Sequence, residues 1–144
     1  MAKTVRDVMT SNVRAAASTE SLADAAQMMK EEDVGSLPVV EDDRLIGILT
    51  DRDIIVRAVA ERVDPQSISV GDVASRELVT VEPDQDLDEA LSLMARHRVR
   101  RLPVVADGRL VGMLAQADVA IEAKEKNAGE MLEEISQPTS TPRE

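Results

Sequence analysis

The chain carries one passage twice, and that duplication limits the folds open to it more than any other feature. Leu37-Pro38-Val39-Val40 returns as Leu102-Pro103-Val104-Val105, and Gly47 to Asp53 returns as Gly112 to Asp118, both at an offset of 65. The same offset relates Asp7 to Asp72, Val8 to Val73, Leu22 to Leu87, Ala25 to Ala90, Met29 to Met94, Arg44 to Arg109 and Leu45 to Leu110, with no insertion. Two copies at a period above about 50 residues do not make a solenoid. They predict two small units facing each other across a pseudo-two-fold axis, with the grooves between them the first place to look for a ligand. The 144 residues fit one compact domain. A unit of about 60 residues buries a marginal fraction of its surface alone, so a shared core is expected.

The chain contains no Phe, Tyr or Trp. Its core must be built from Leu, Ile, Val, Ala and Met, and a bound base would lie between aliphatic side chains, not on an aromatic ring. The formal net charge of −11 disfavours nucleic acid and anionic membranes; its ordinary consequence is solubility. Without Cys there is neither a disulfide scaffold nor thiolate chemistry. No apolar stretch approaches the roughly 18 residues of a membrane span. Met1 to Thr10 has no apolar run of the secretory type. A cytoplasmic protein is the expectation.

Each copy reads as strand, helix, strand, strand, helix. Asn12–Ala17 and Glu77–Val81 are the first strands. Ser21 with Asp24, and Pro83-Asp84 in the second copy, are read as helix starts. Leu22, Ala25, Ala26 and Met29 fall at i, i+3, i+4, i+7, as do Leu87, Ala90, Leu91 and Met94, giving one apolar face each. The methionines there are read as core. Ser36–Val40 with Leu45–Leu49, and Arg101–Val105 with Leu110–Leu114, are hairpins across polar turns. Thr50 opens a helix to about Ala60 and Ala115 opens one to about Lys126. Gly129 breaks the latter, Glu130–Ile135 forms one further turn, and the chain from Gln137 is read as a disordered tail.

Val5-Arg6-Asp7-Val8-Met9-Thr10, the Leu-Pro-Val-Val strand and the Gly47–Asp53 junction resemble the CBS domain. Their ordered recurrence resembles a tandem CBS pair, or Bateman module, of the small stand-alone bacterial kind, over about residues 4–126. The resemblance implies an α/β fold of the α+β type: two pseudo-symmetric β-α-β-β-α units packed through their sheets, with clefts between them. It places one domain at 4–62, a linker at 63–69, a second domain at 70–128 and a C-terminal segment at 129–144. Function would be regulatory and non-enzymatic, with no cofactor required, in settings such as stress response. The ligand would contain adenosine: AMP, ADP, ATP, S-adenosylmethionine or NAD(H). Such modules pair through their helices into disc-shaped homodimers and act on a regulated protein that nothing in the chain identifies.

Residue by residue, Thr50 and Asp53 match the family's Gly-x-x-Thr/Ser-x-x-Asp motif, in which Asp accepts from the ribose hydroxyls and the hydroxyl residue contacts phosphate. A cis-diol offers two donors and an ionised carboxylate accepts on both oxygens, while Thr50 sits at an expected helix N-cap. The alternative is that the pair merely caps its helix. Copy two keeps Asp118 but has Ala115 in place of Thr50, so unequal sites are expected, with the Thr50–Asp53 site the stronger. Lys30–Ser36, rich in acid, corresponds to Ala95–Arg101, rich in arginine. Arg100 and Arg101 stand where the resemblance places phosphate-contacting basic residues, and Arg suits bidentate phosphate. Two alternatives are a solvated helix end and pairing with Glu31, Glu32 and Asp33 of a dimer partner. Arg52 is a further phosphate candidate or a surface residue. Val13, Ala16, Val34, Leu37, Pro38 and Val39 are candidate walls of an adenine slot or else core. His97 is the only His, and Asp51-Arg52-Asp53 lacks further ligands, so no metal site is expected. There is no nucleophile–base pair and no Gly-rich phosphate loop. A ligand-free dimerisation scaffold is the rival reading.

Overall fold

The computed structural model describes residues 3–122; the expected helix end near Lys126, the break at Gly129 and the segments beyond it lie outside the described residues. In chain order the elements are α1 (Val5–Val8), β1 (Thr10–Ser11), β2 (Ala16–Ala17), α2 (Leu22–Glu32), β3 (Ser36–Glu41), β4 (Arg44–Thr50) and α3 (Asp51–Ile54). A π turn, Ile55–Val59, continues α3. Then come α4 (Val70–Val73), α5 (Leu87–His97), β5 (Arg101–Ala106) and β6 (Arg109–Ala115). Residues 116–122 are helical.

Local chemistry sets the boundaries. The Ser21 hydroxyl accepts the Asp24 N–H at 3.1 Å and starts α2. Its buried face is Leu22, Ala25, Met28 and Met29; α5 buries Leu87, Ala90 and Met94 in the same way. Both helices end on a left-handed residue, Asp33 and Arg98, each at φ 54. The second helix start differs from the expectation at Pro83-Asp84. There the Gln85 side-chain oxygen accepts the Glu82 N–H at 3.0 Å and closes a turn, and the N-cap moves to Asp86. Glu20 closes the matching turn on Ala17 N–H at 2.9 Å. The expected first strands are also shorter than the sequence implies: only β2 and one bridge, Val81 to Val104, remain.

β3–β4 and β5–β6 are antiparallel hairpins in one sheet of order β1-β6-β4-β3-β2, with β5 on β6. β4 and β6 meet only at Arg44 and Arg109. Beside that position Leu45 N–H donates to Gly108 O at 3.2 Å and Leu110 N–H donates to Asp43 O at 3.0 Å. The offset of 65 exchanges these two bonds, so the pseudo-two-fold axis runs between Arg44 and Arg109.

The lead-in of each copy crosses to the other copy. Val5 and Arg6 donate to Gln85 O and Pro83 O at 2.9 Å, while Val70 and Gly71 donate to Glu20 O and Ser18 O at 2.8 and 2.9 Å. β1 pairs with β6, and Ser75 bridges Ile48. Two cores result. One holds Ala16, Leu22, Met29, Leu37, Val39 and Leu49 together with Val70 and Val73 of the second lead-in. The other holds Val81, Leu87, Met94, Leu102, Val104 and Leu114 together with Val5 of the first. The sequence repeat and the packing unit are therefore offset from each other. A backbone N–H from Thr4 holds the Asp7 carboxyl below its ordinary value at the start of the first arm.

Candidate functional site

β4 ends where Thr50 turns into α3. Asp51 N–H donates to Gly35 O at 2.9 Å, tying the helix start to the chain entering β3. Thr50 is in extended backbone, and its hydroxyl accepts the Asp53 N–H at 3.1 Å. In return Asp53 Oδ2 accepts the Thr50 N–H at 3.0 Å. This is a complete capping box. It still leaves the Thr50 O–H proton and Asp53 Oδ1 without a hydrogen bond among the described residues, and both side chains are half-buried, neither sealed nor fully solvated. The pair thus caps its helix and retains one donor and one acceptor for something else.

Copy two has the same backbone without the cap. Gln116 N–H donates to Arg100 O at 2.7 Å, matching Asp51 and Gly35, but Ala115 has no side-chain oxygen. Asp118 is half-buried and makes no hydrogen bond or ion pair among the described residues. Thr50→Ala is therefore expected to cost about 1 kcal/mol, and Ala115→Thr to return part of that amount by building a box with Asp118. Thermal unfolding followed by far-UV circular dichroism checks both; an Ala115→Thr variant less stable than the parent would contradict the matched geometry.

The remaining candidates divide by repeat. Register sets Ser36 opposite Thr50 in one hairpin and Arg101 opposite Ala115 in the other. Arg100 is exposed and Arg101 half-buried, and neither these side chains nor Arg52 makes a hydrogen bond or ion pair among the described residues. No such bond links Arg101 to Thr50 or Asp53. Of the adenine-slot candidates, Ala16, Leu37 and Val39 are core members and Pro38 is buried. Val13 and Val34 are half-buried and keep open surface.

A groove of about 520 Å³ adjoins the start of α3, between α2 and the α3–π segment, lined by Ala26, Met29, Asp33, Asp51 and Ile54 and, of the slot candidates, by Val34. Thr50, Asp53, Arg100, Arg101 and Asp118 do not line it. Neither the groove nor the π turn follows from helical periodicity. Ile54-Ile55-Val56 is three apolar residues in succession, and with Val59 this is more apolar surface than one helical face can bury. That excess was the available signal, and Ile55, Val56 and Val59 are exposed.

Among the described residues no helix is long and apolar enough to cross a membrane. Residues 5–59 and 70–125 each match the family model for the CBS domain. A CBS domain-containing protein of Bacillus subtilis (strain 168), YhcV, is 42% identical over 133 residues, covering 92% of this chain and 94% of that one. The crystal structure of hypoxic response protein I with two coordinated zinc ions superposes with a TM-score of 0.77 at 41% identity, over 83% of this chain and 98% of the other. The crystal structure of CBSX2 in complex with AMP does so with a TM-score of 0.75 at 30% identity, over 85% and 97%. The duplicated junction, the paired hairpins and these matches agree: the chain belongs to the CBS domain family, as a tandem pair of two CBS domains.

Proposed function

We propose that this CBS pair is a non-catalytic regulatory module that takes an adenosine-containing ligand of the AMP, ADP or ATP type beside Thr50 and Asp53. The observation that carries the reading is the capping box with its two spare hydrogen-bonding groups. Asp53 Oδ1 is a carboxylate acceptor held in place by the other oxygen's bond to Thr50 N–H, suited to a ribose hydroxyl. The Thr50 proton can go to a phosphate oxygen. Val13 and Val34 would flank the base, and Arg52, Arg100 and Arg101, whose side chains make no hydrogen bond or ion pair among the described residues, would supply guanidinium groups for phosphate. The complex of CBSX2 with AMP supports this class of ligand. Two copies of the chain would pair through their helices, and ligand binding would bias the geometry of that dimer and so of a regulated partner.

The residues present do not fit a closed zinc site. The chain has no Cys and one His. Among the described residues no three His, Asp or Glu side chains are grouped to hold a metal, whereas a closed zinc site takes four ligands rich in Cys and His.

Isothermal titration with AMP, ADP, ATP, NAD(H) and S-adenosylmethionine tests the reading. At least one should bind, and Asp53→Ala should weaken it more than tenfold while Asp118→Ala has a smaller effect. No heat from any of them, in protein shown to be folded, overturns the proposal. Equal losses in the two variants overturn the inequality of the sites. Intrinsic fluorescence is no readout here, since the chain has no aromatic side chain. The rival reading, a ligand-free interaction scaffold, draws support from Ala115 and from a groove whose lining includes neither Thr50 nor Asp53.

A further inference from the structure

The end of α2 and the end of α5 occupy equivalent places and carry opposite charge. Around the first stand Glu31, Glu32, Asp33 and, across the groove, Asp51; around the second stand Arg96, Arg98, Arg100 and Arg101. Glu31 has a surface ion pair with Arg14 at 3.3 Å. Glu32, Asp33 and the four arginines make no side-chain hydrogen bond or ion pair among the described residues. Four arginines unpaired within a chain of net charge −11 are a local reversal of sign. Beside both ends the surface is apolar and open: Ile55, Val56 and Val59 in copy one, and Val99 after α5 with Ile121 in copy two, are exposed.

We infer that a second copy of this chain covers that surface head to tail, so that the acidic end of copy one meets the arginine end of copy two in its partner, twice per dimer. A head-to-head pair would set four arginines against four and carboxylates against carboxylates. Like charges held together at an interface oppose association, while complementary patches favour one register and speed encounter. The exposed apolar residues beside the ends supply the area, and the charges choose the direction. The inference rests on the helical pairing proposed above; Arg96 and Arg98 serve it alone, while Arg100 and Arg101 are shared with the phosphate reading, and the linking experiment is run without nucleotide.

Because the chain has no Cys, single cysteines report direction directly. Glu32→Cys and His97→Cys stand at equivalent positions on α2 and α5, each exposed and without a hydrogen bond or ion pair among the described residues. The two variants are mixed in equal amounts, allowed to exchange and treated with a short bismaleimide. Head-to-tail pairing yields a linked dimer that contains one of each variant, with little product from either variant alone. Linked homodimers from each variant alone overturn the direction. A wild-type chain that sediments as a monomer at high concentration overturns the pairing itself. Salt gives a second readout: raising ionic strength from about 50 mM to about 500 mM screens the attraction and should weaken the dimer severalfold. Tighter association in high salt would count against opposite charges meeting.

Discussion

Gly47→Ala and Gly112→Ala are each expected to destabilise the fold by about 1–3 kcal/mol, the range for forcing extra atoms into packed space. A Cβ built on Gly47 falls 2.7 Å from Ser75 O, and one on Gly112 falls 2.8 Å from Thr10 O and 2.9 Å from Met9 Sδ. The two obstacles are the same obstacle seen twice: the arm of the opposite copy running across the hairpin. Neither arm can step aside cheaply. Ser75 exchanges both backbone hydrogen bonds with Ile48 at 2.9 Å, and Thr10 is in register with Met113 in the short β1–β6 ladder. Gly35→Ala is the control. Its Cβ would meet only the exposed Asp51 side chain, Oδ2 at 3.1 Å, which need give by only a few tenths of an ångström although its Oδ1 accepts the Arg52 N–H at 2.8 Å. Thermal unfolding should show the first two variants lowered by roughly 3–10 °C for a chain of this size, with Gly35→Ala little changed. Equal behaviour of all three would mean that the arms do not lie where these distances put them.

The two glycines also indicate which parts of the fold are legible in sequence. Repetition at constant offset revealed two units and the symmetry relating them, because residues needed at symmetric contacts are kept in both copies. It could not reveal that the lead-ins cross. A contact between Val5 and its own copy, or between Val5 and the other copy, leaves the same pattern of paired residues 65 apart. Only the geometry distinguishes the two, and it puts Val5 with Leu87 and Leu114. The candidate site was legible as Thr50-x-x-Asp53, since the spacing that fits a ligand motif is also the spacing of a capping box. How much of the pair the cap consumes was not, because that depends on which carboxylate oxygen turns toward Thr50 N–H. For the slot candidates the sequence leaves a wall and a core member equally open. Successive side chains of β3 point to opposite faces, yet Leu37, Pro38 and Val39 are all buried, and Leu37 and Val39 belong to the copy-one core.

Crossed arms make the contiguous folding unit different from the repeat. A fragment of residues 12–76 should fold cooperatively, and a fragment of residues 4–62 should not. The first contains every member of the copy-one core, from Ala16 through Leu49 and Ala58 to Val70 and Val73, together with Ile68 and Ala74 packed against it. It also keeps the Ser75–Ile48 bridge. The second retains Val5, Val8 and Met9, whose packing partners lie in the other copy, and loses Val70 and Val73, which are almost wholly buried. Burying a valine contributes about 1.5–3 kcal/mol, so the two lost valines together are comparable with the entire stability of a small domain. The comparison is made at nearly equal length, and a domain of about 60 residues has little margin to absorb that loss. Far-UV circular dichroism with urea titration decides: a sigmoidal transition for 12–76 and a sloping baseline for 4–62 is the expected pair. A folded 4–62 would require Val5 to pack on its own copy, and the interdependence of the two halves, through which a ligand in one cleft could reach the other, would lose its structural basis.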